Sequence, residues 1–245
     1  MVAREDIEQF RAANSELSKR VKDTLEAFVR SLDFTKPELV RDALLEFMPV
    51  LTSQYGSVAA SIAAEWYQEQ RVADGAVGRF RMALAANVPA DAVQSKIRYL
   101  AGHLWTPTPE AIVGPLLTAA DKYVKQPGRS TMALNAKREG VAWARVPTGA
   151  KTCTWCLILA SRDAVYVSER AAKKDKSGED YHGDCDCQAV RIGSSNDYPP
   201  GYLPDDYYDM YQSARDEAGS NDVKDIAAAF RRLHPDAVND GVHTH

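Results

Sequence analysis

Two short stretches hold all four cysteines of this 245-residue chain: KTCTWCLILA at 151–160 and YHGDCDC at 181–187. Cys153 and Cys156 form a C-x-x-C pair, His182 and Cys185 an H-x-x-C pair, and Cys187 follows two residues later. Two intervening residues let the chain turn tightly enough for both side chains of a pair to reach one ion. A pair of such bites joined by a loop, here the 25 residues between Cys156 and His182, is the usual grammar of a structural zinc site. Zn–S bonds of about 2.3 Å place the sulfurs of a tetrahedral site about 3.8 Å apart. In an extended strand Cys185 and Cys187 would share a face but sit about 6.5 Å apart along it, so both reach one ion only if the backbone bends. Five candidates therefore compete for four places. Cys153, Cys156 and Cys185 are the expected ligands. The fourth is His182 or Cys187, with thiolate affinity and charge favouring Cys187.

Other chemistry fits less well. A redox C-x-x-C would sit in a βαβ pattern, and none surrounds Cys153. Disulfides need an oxidising compartment, whereas the charged start MVAREDIEQFRAANSEL lacks the apolar core of a signal peptide. A catalytic metal needs an open position and a placed acid or base, and Asp184 and Asp186 read as solvated loop residues. A hydrolase would need a nucleophile and a base. Ser161 or Ser168 with His182 is the nearest pairing, and no nucleophile-elbow sequence surrounds either serine. Arg129, Lys137, Arg138, Arg145, Lys151 and Arg162 make a modest basic run, with Trp143, Trp155 and Tyr166 as stacking candidates for nucleic acid. The net charge of −4 argues against a strongly basic nucleic-acid binder. No apolar run approaches the roughly 18 residues of a membrane span.

The elements that must position the cysteines are mostly helical. Ile7, Phe10, Leu17, Val21, Leu25, Phe28 and Leu32 recur at intervals that share one helix face, which predicts a helix over 4–32. Thr35, Pro37 and Glu38 signal a second helix start. Pro49 is expected to end or kink it, with helix resuming over 50–72 and breaking at the two glycines of 73–78. Further helices are predicted over 90–105 and 110–125, the latter ended by QPG, and over 129–140. WARVPTG at 143–149, DAVYVS at 163–168 and CQAVRIG at 187–193 read as extended pieces. NDYPPGYLPDDYYD reads as a Pro- and Tyr-rich loop, a last helix runs from Asn221, and HPDAVNDGVHTH reads as a frayed tail. The expected class is α+β, predominantly α: a helical domain over 1–126, a small Cys/His-knuckle domain over 127–200, and a C-terminal loop, helix and tail over 201–245. A metal staple would serve a domain too small and loop-rich to rely on its core.

The block RVPTGAKTCTWCLILASRDAVYVSERAAKK followed by YHGDCDCQAVRI resembles the MuF-like minor capsid proteins of tailed phages, in the form common in actinobacteriophages. The shared features are Cys153 and Cys156; Leu159-Ala160-Ser161-Arg162 with Val165-Tyr166; and His182, Cys185 and Cys187. The resemblance covers about residues 130–193. Asp186 stands where that family more often carries a basic or polar residue, which argues against direct DNA contact by the knuckle. The resemblance implies a non-enzymatic protein inside the phage head, made in the host cytoplasm. Its implied partners are the portal protein and the major capsid or scaffold protein, with packaged DNA a further candidate and no membrane. The implied role is in head assembly and genome packaging or ejection. A capsid maturation protease and a DNA-binding head protein are the alternatives.

Overall fold

The structure is a computed structural model that describes residues 3–148, 151–162, 185, 187–194 and 198–242. The expected strand at 163–168, together with Ser168, His182, Asp184 and Asp186, lies outside the described residues. Among the described residues the fold is predominantly helical with one small two-stranded antiparallel sheet, as the sequence pattern predicts.

Helix α1 (Arg4–Arg30) buries Ile7, Phe10, Leu17, Val21, Leu25 and Val29 on one face. Ion pairs Arg4–Glu8, Arg20–Glu16 and Arg30–Glu26 run along the other face at i,i+4 spacing. Helix α2 (Pro37–Ala73) starts at the predicted proline and then runs 37 residues, straight through Pro49. The helix does not end there. A proline deprives the carbonyl four residues earlier of its helical donor. That carbonyl, Leu45 O, instead accepts from Gln94 Nε2 at 3.3 Å. Gln94 lies on α3 (Ala90–Leu100), which continues into a 3-10 turn, Ala101–Trp105. A second such turn, Pro109–Ile112, leads into α4 (Val113–Glu139).

Helix α4 also overrides a predicted stop. QPG at 126–128 lies inside it, at the point where it crosses α2. A Cβ on Gly128 would stand 2.9 Å from the Ala59 carbonyl oxygen of α2, and one on Gly56 would stand 3.1 Å from the Pro127 ring. Glycine is used at both places because the two helices nearly touch. The expected domain junction at 126/127 falls within this helix, and one apolar cluster draws on both sides of it. That cluster joins Phe10 of α1, Trp66 and Tyr67 of α2, Met132 of α4, and Trp143 and Val190.

Gly140 in the left-handed region (φ 76°) ends α4, and β1 (Ala142–Val146) follows at once. It pairs antiparallel with β2 (Gln188–Ile192), Ala144 opposite Val190. The first and last of the three predicted extended pieces are therefore strands, each buried along its length. Between them lies α5 (Thr154–Ala160). The chain closes with α6 (Pro204–Ala218) and α7 (Val223–Leu233).

Two C-terminal expectations are corrected. The Pro/Tyr-rich segment is loop only as far as Leu203; from Pro204 it is the start of helix α6, with Asp205 and Asp206 in its first turn, where carboxylates favour a helix N-terminus. The tail is not frayed through residue 242. Thr152 bridges Val238, which is 1% exposed, and Asn239 N donates to Thr152 O. This docks the tail beside the first cysteine pair.

A polar network locks the sheet to the bundle. Arg191 of β2 donates to Glu139 at the end of α4 (2.8 and 2.9 Å) and to Asp74 after α2 (2.6 Å). Arg71 and Tyr67 of α2 also donate to Glu139, at 2.8 and 2.6 Å. Gln70 Oε1 accepts from the Arg191 amide. Burial alone would raise the Glu139 pKa, but the bonds from Arg191, Arg71 and Tyr67 outweigh it and lower it from 4.5 to about 2.

Candidate metal centre

The first cysteine pair is set by a helix start. Cys153 is the N-cap of α5, with extended φ/ψ, and its sulfur accepts from the Cys156 amide at 3.4 Å. Cys156 then sits in the first turn, aimed inward by a helix whose other apolar residues, Leu157 and Ile158, pack on α6 and α7. Asp240 of the docked tail supports the same helix start. It accepts from Thr154 N and Thr154 Oγ1, both at 2.9 Å, and from Arg231 at 2.7 Å. Burial raises the Asp240 pKa, and its bonds with Thr154 and Arg231 outweigh that, leaving the carboxyl below its ordinary value.

The second pair arrives on the approach to β2. The strand begins at Gln188, one residue after Cys187. The spacing limit of an extended strand therefore does not apply to Cys185 and Cys187. The sulfurs of Cys156, Cys185 and Cys187 all lie within 4.8 Å of one another. Cys156 Sγ and Cys185 Sγ are 3.3 Å apart, and all four cysteines are free thiols. The three clustered residues are buried, at 1%, 2% and 1% exposure, and half-buried Cys153 packs at their edge.

Two arginines border the cluster. Arg129 of α4 donates to the Cys185 carbonyl at 2.7 Å. Arg145 of β1 is 1% exposed and its charge favours a thiolate at Cys187. Without a cation the thiols hold their protons strongly. A hydrogen bond with Cys153, then those with Cys185 and Cys187 and burial, push the Cys156 thiol far above its ordinary value. For Cys187 a bond with Cys156 draws the thiol down, and the bond with Cys185 together with burial outweighs it. A metal must displace those protons, because the thiolate is the ligand. Sulfurs already at 3.3–4.8 Å bracket the separation of about 3.8 Å that a tetrahedral zinc requires. The buried group of three cysteines could thus hold a metal ion.

Of the five residues singled out by spacing, the structure brings three together, puts Cys153 beside them, and leaves His182 outside the described residues. The sequence reading missed Arg129 and Arg145 as neighbours of the cluster and Asp240 as its outer support. The basic run offered a signal for the arginines, but it was weighed only for nucleic-acid contact. Arg145, at 1% exposure, is an interior residue, and Trp143, at 6%, belongs to the core. Ser161, the one described member of the Ser–His pairings, is 7% exposed and donates to the Ile158 carbonyl at 2.8 Å. It serves as a helix-end hydrogen-bond donor. No helix among the described residues is long and apolar enough to cross a membrane.

Comparison with known proteins gives two matches. The family model described as VG15 protein matches residues 1–214. The Gene 15 protein of Mycobacterium phage D29 is 28% identical over 122 residues, covering 38% of this chain and 44% of that protein. The chain thus spans under half the length of that curated relative. No solved structure matches.

Proposed function

Because this chain belongs to the VG15 protein family, we propose that it is a phage minor capsid or head-morphogenesis protein of the MuF-like kind. In this reading it is non-enzymatic, lies inside the head near the portal, and assists head assembly and genome packaging or ejection. Its similarity to a mycobacteriophage protein supports the phage setting. The cysteines hold a structural zinc ion, with Cys156, Cys185 and Cys187 as ligands and Cys153 or His182 completing the set. The portal protein and the major capsid or scaffold protein are its partners.

The observation that carries the non-enzymatic reading is the burial of the thiol group, 1–2% exposed at each of the three sulfur residues. A structural site is closed, whereas a catalytic zinc keeps an open position. Charge balance agrees. Zinc with four thiolates carries a net charge of about −2, and Arg129 and Arg145 offset it where water is scarce. The ion ties the start of α5 to the start of β2, and so ties the C-terminal helices to the sheet. The described part of the basic run favours this reading over DNA binding, because two of its arginines serve the interior.

Two measurements test it together. Protein purified under reducing conditions is expected to contain one zinc per chain, lost in Cys156→Ser and in Cys185→Ser. His182→Ala and Cys153→Ser then identify the fourth ligand. In the phage that encodes the chain, mass spectrometry of purified particles should find it in the virion. An amber mutation should leave fewer DNA-filled heads. Zinc-free reduced protein would remove the staple. Full particle yield without the protein in the virion would remove the capsid role.

A further inference from the structure

Residues 76–88, between α2 and α3, form neither helix nor sheet, yet they are pinned at several points. Phe80 lies between the Arg71 and Arg138 guanidinium groups, at 4.8 and 5.1 Å. Asn87 Nδ2 donates to Ser53 and Ser57 of α2, at 3.1 and 2.8 Å. Along α2 those contact points are about fourteen residues apart, a rise of about 21 Å. Seven residues from Phe80 to Asn87 cover about 23 Å only when nearly fully extended. The segment is therefore a strap that runs along the helix pair as a strand would.

One edge of the strap is already paired, by side chains in place of a second strand. Asn135 of α4, fully buried, accepts from Ala83 N at 2.9 Å and donates to Ala83 O at 2.8 Å. Thr131, one turn earlier and also fully buried, accepts from Ala85 N at 3.0 Å. Arg138 donates to Arg81 O at 2.8 Å. In extended backbone, successive residues turn their N–H and C=O to opposite edges. The odd-numbered residues Arg81, Ala83 and Ala85 thus face α4, and the even-numbered Met82, Leu84 and Ala86 face the other way. No hydrogen bond within the chain involves the backbone of these three among the described residues. On that side an open groove of about 510 Å³ separates the strap from α2, lined by Ala64, Glu65, Gln68, Glu69, Met82 and Leu84. Leu84 is 56% exposed. Glu65 and Glu69, one turn apart on the groove's α2 wall, form no ion pair among the described residues.

We propose that this groove is a docking site for an extended segment of a partner protein, which adds as a strand to the free edge of the strap. Main-chain hydrogen bonds to Met82, Leu84 and Ala86 give affinity, and alternate side chains give specificity. One side of the added strand lies on Met82, Leu84 and Ala64, so its inward residues are apolar. Glu65 and Glu69 flank Ala64 on the α2 wall and meet the side chains of the added strand that do not lie on Met82 and Leu84, so those residues are basic. The partner segment therefore alternates apolar and basic side chains. The site is separate from the cysteine cluster and does not depend on it.

The test uses the full chain, isotopically labelled, and a synthetic Lys-Val-Lys-Val-Lys-Val peptide with blocked ends. Titration should protect the amides of Met82, Leu84 and Ala86 from exchange and leave the Ala83 and Ala85 amides unchanged. Affinity should fall about tenfold or more in the double variant Glu65→Lys, Glu69→Lys. A peptide N-methylated at alternate residues, and its Glu-Val counterpart, should bind at least tenfold more weakly. Leu84→Ala should lower affinity while leaving the protein folded by circular dichroism. Equal binding of the Lys-Val and Glu-Val peptides, binding that survives N-methylation, or protection confined to other parts of the chain would each overturn the proposal. So would the absence of any binding at millimolar peptide.

Discussion

Replacing Glu139 by glutamine probes the junction between bundle and sheet. The substitution keeps size and shape and removes one negative charge. Glu139 is 12% exposed at its side chain and carries both Arg71 and Arg191, themselves 6% and 4% exposed. In the native junction two arginines face two carboxylates, Glu139 and Asp74. After the substitution Arg191 keeps Asp74 as a charged partner, while the buried Arg71 guanidinium loses its ion pair. Removing one partner of a buried pair typically costs about 3–5 kcal/mol. For a chain of this size that corresponds to a fall in Tm of about 6–20 °C. The pH dependence gives a second, independent reading. The native pKa of about 2 lies below the ordinary 4.5, so the stabilisation is fully present above pH 4.5. It is lost as pH falls from about 4.5 through about 2. The displacement corresponds to roughly 2–4 kcal/mol. Urea unfolding of wild type and Glu139→Gln at a series of pH values measures both. The two stabilities should differ most near neutral pH and converge toward pH 2. A difference under about 1 kcal/mol at pH 7, or two parallel pH profiles, would refute this account of the junction.

Two glycines of α4 are expected to respond to alanine with opposite signs. Gly114→Ala meets nothing within 4 Å and should stabilise by a few tenths of a kcal/mol up to about 1. Gly128→Ala drives a Cβ to 2.9 Å from the Ala59 carbonyl and should destabilise by about 1–3 kcal/mol; thermal unfolding of the two variants side by side decides it, and equal shifts would contradict the close helix crossing. Asp240→Ala removes the acceptor at Thr154 N and the Arg231 ion pair. It should cost about 1–2 kcal/mol and speed amide exchange at Thr154, whereas unchanged exchange there would mean the tail does not support the cysteine helix.

What the sequence determined by itself was local. The buried face of α1 is legible because residues spaced three or four apart share a side of a helix. The start of α2 is legible because Pro37 suits a first turn. The strands at 142–146 and 188–192 and the clustering of the cysteines follow from short-range pattern and spacing. The errors share one cause, which is that a residue's local preference was satisfied or overruled by a partner distant in sequence. Pro49 does not end α2, because Gln94 supplies the donor that Leu45 O lacks. Pro127-Gly128 does not end α4, because Ala59 approaches and only glycine fits. The tail is ordered through its contacts with Thr152 and Thr154. Arg145 stood in a basic run weighed for nucleic-acid contact, and the tertiary fold instead buries it where its charge acts on Cys187. The strap carries no strand pattern of its own, since its pairing partners are Thr131 and Asn135 on a helix some fifty residues later. Sequence spacing could place the cysteines in one region. Which sulfurs meet, and which charges stand beside them, was decided by the tertiary fold, because those contacts join residues that local backbone preferences do not bring together.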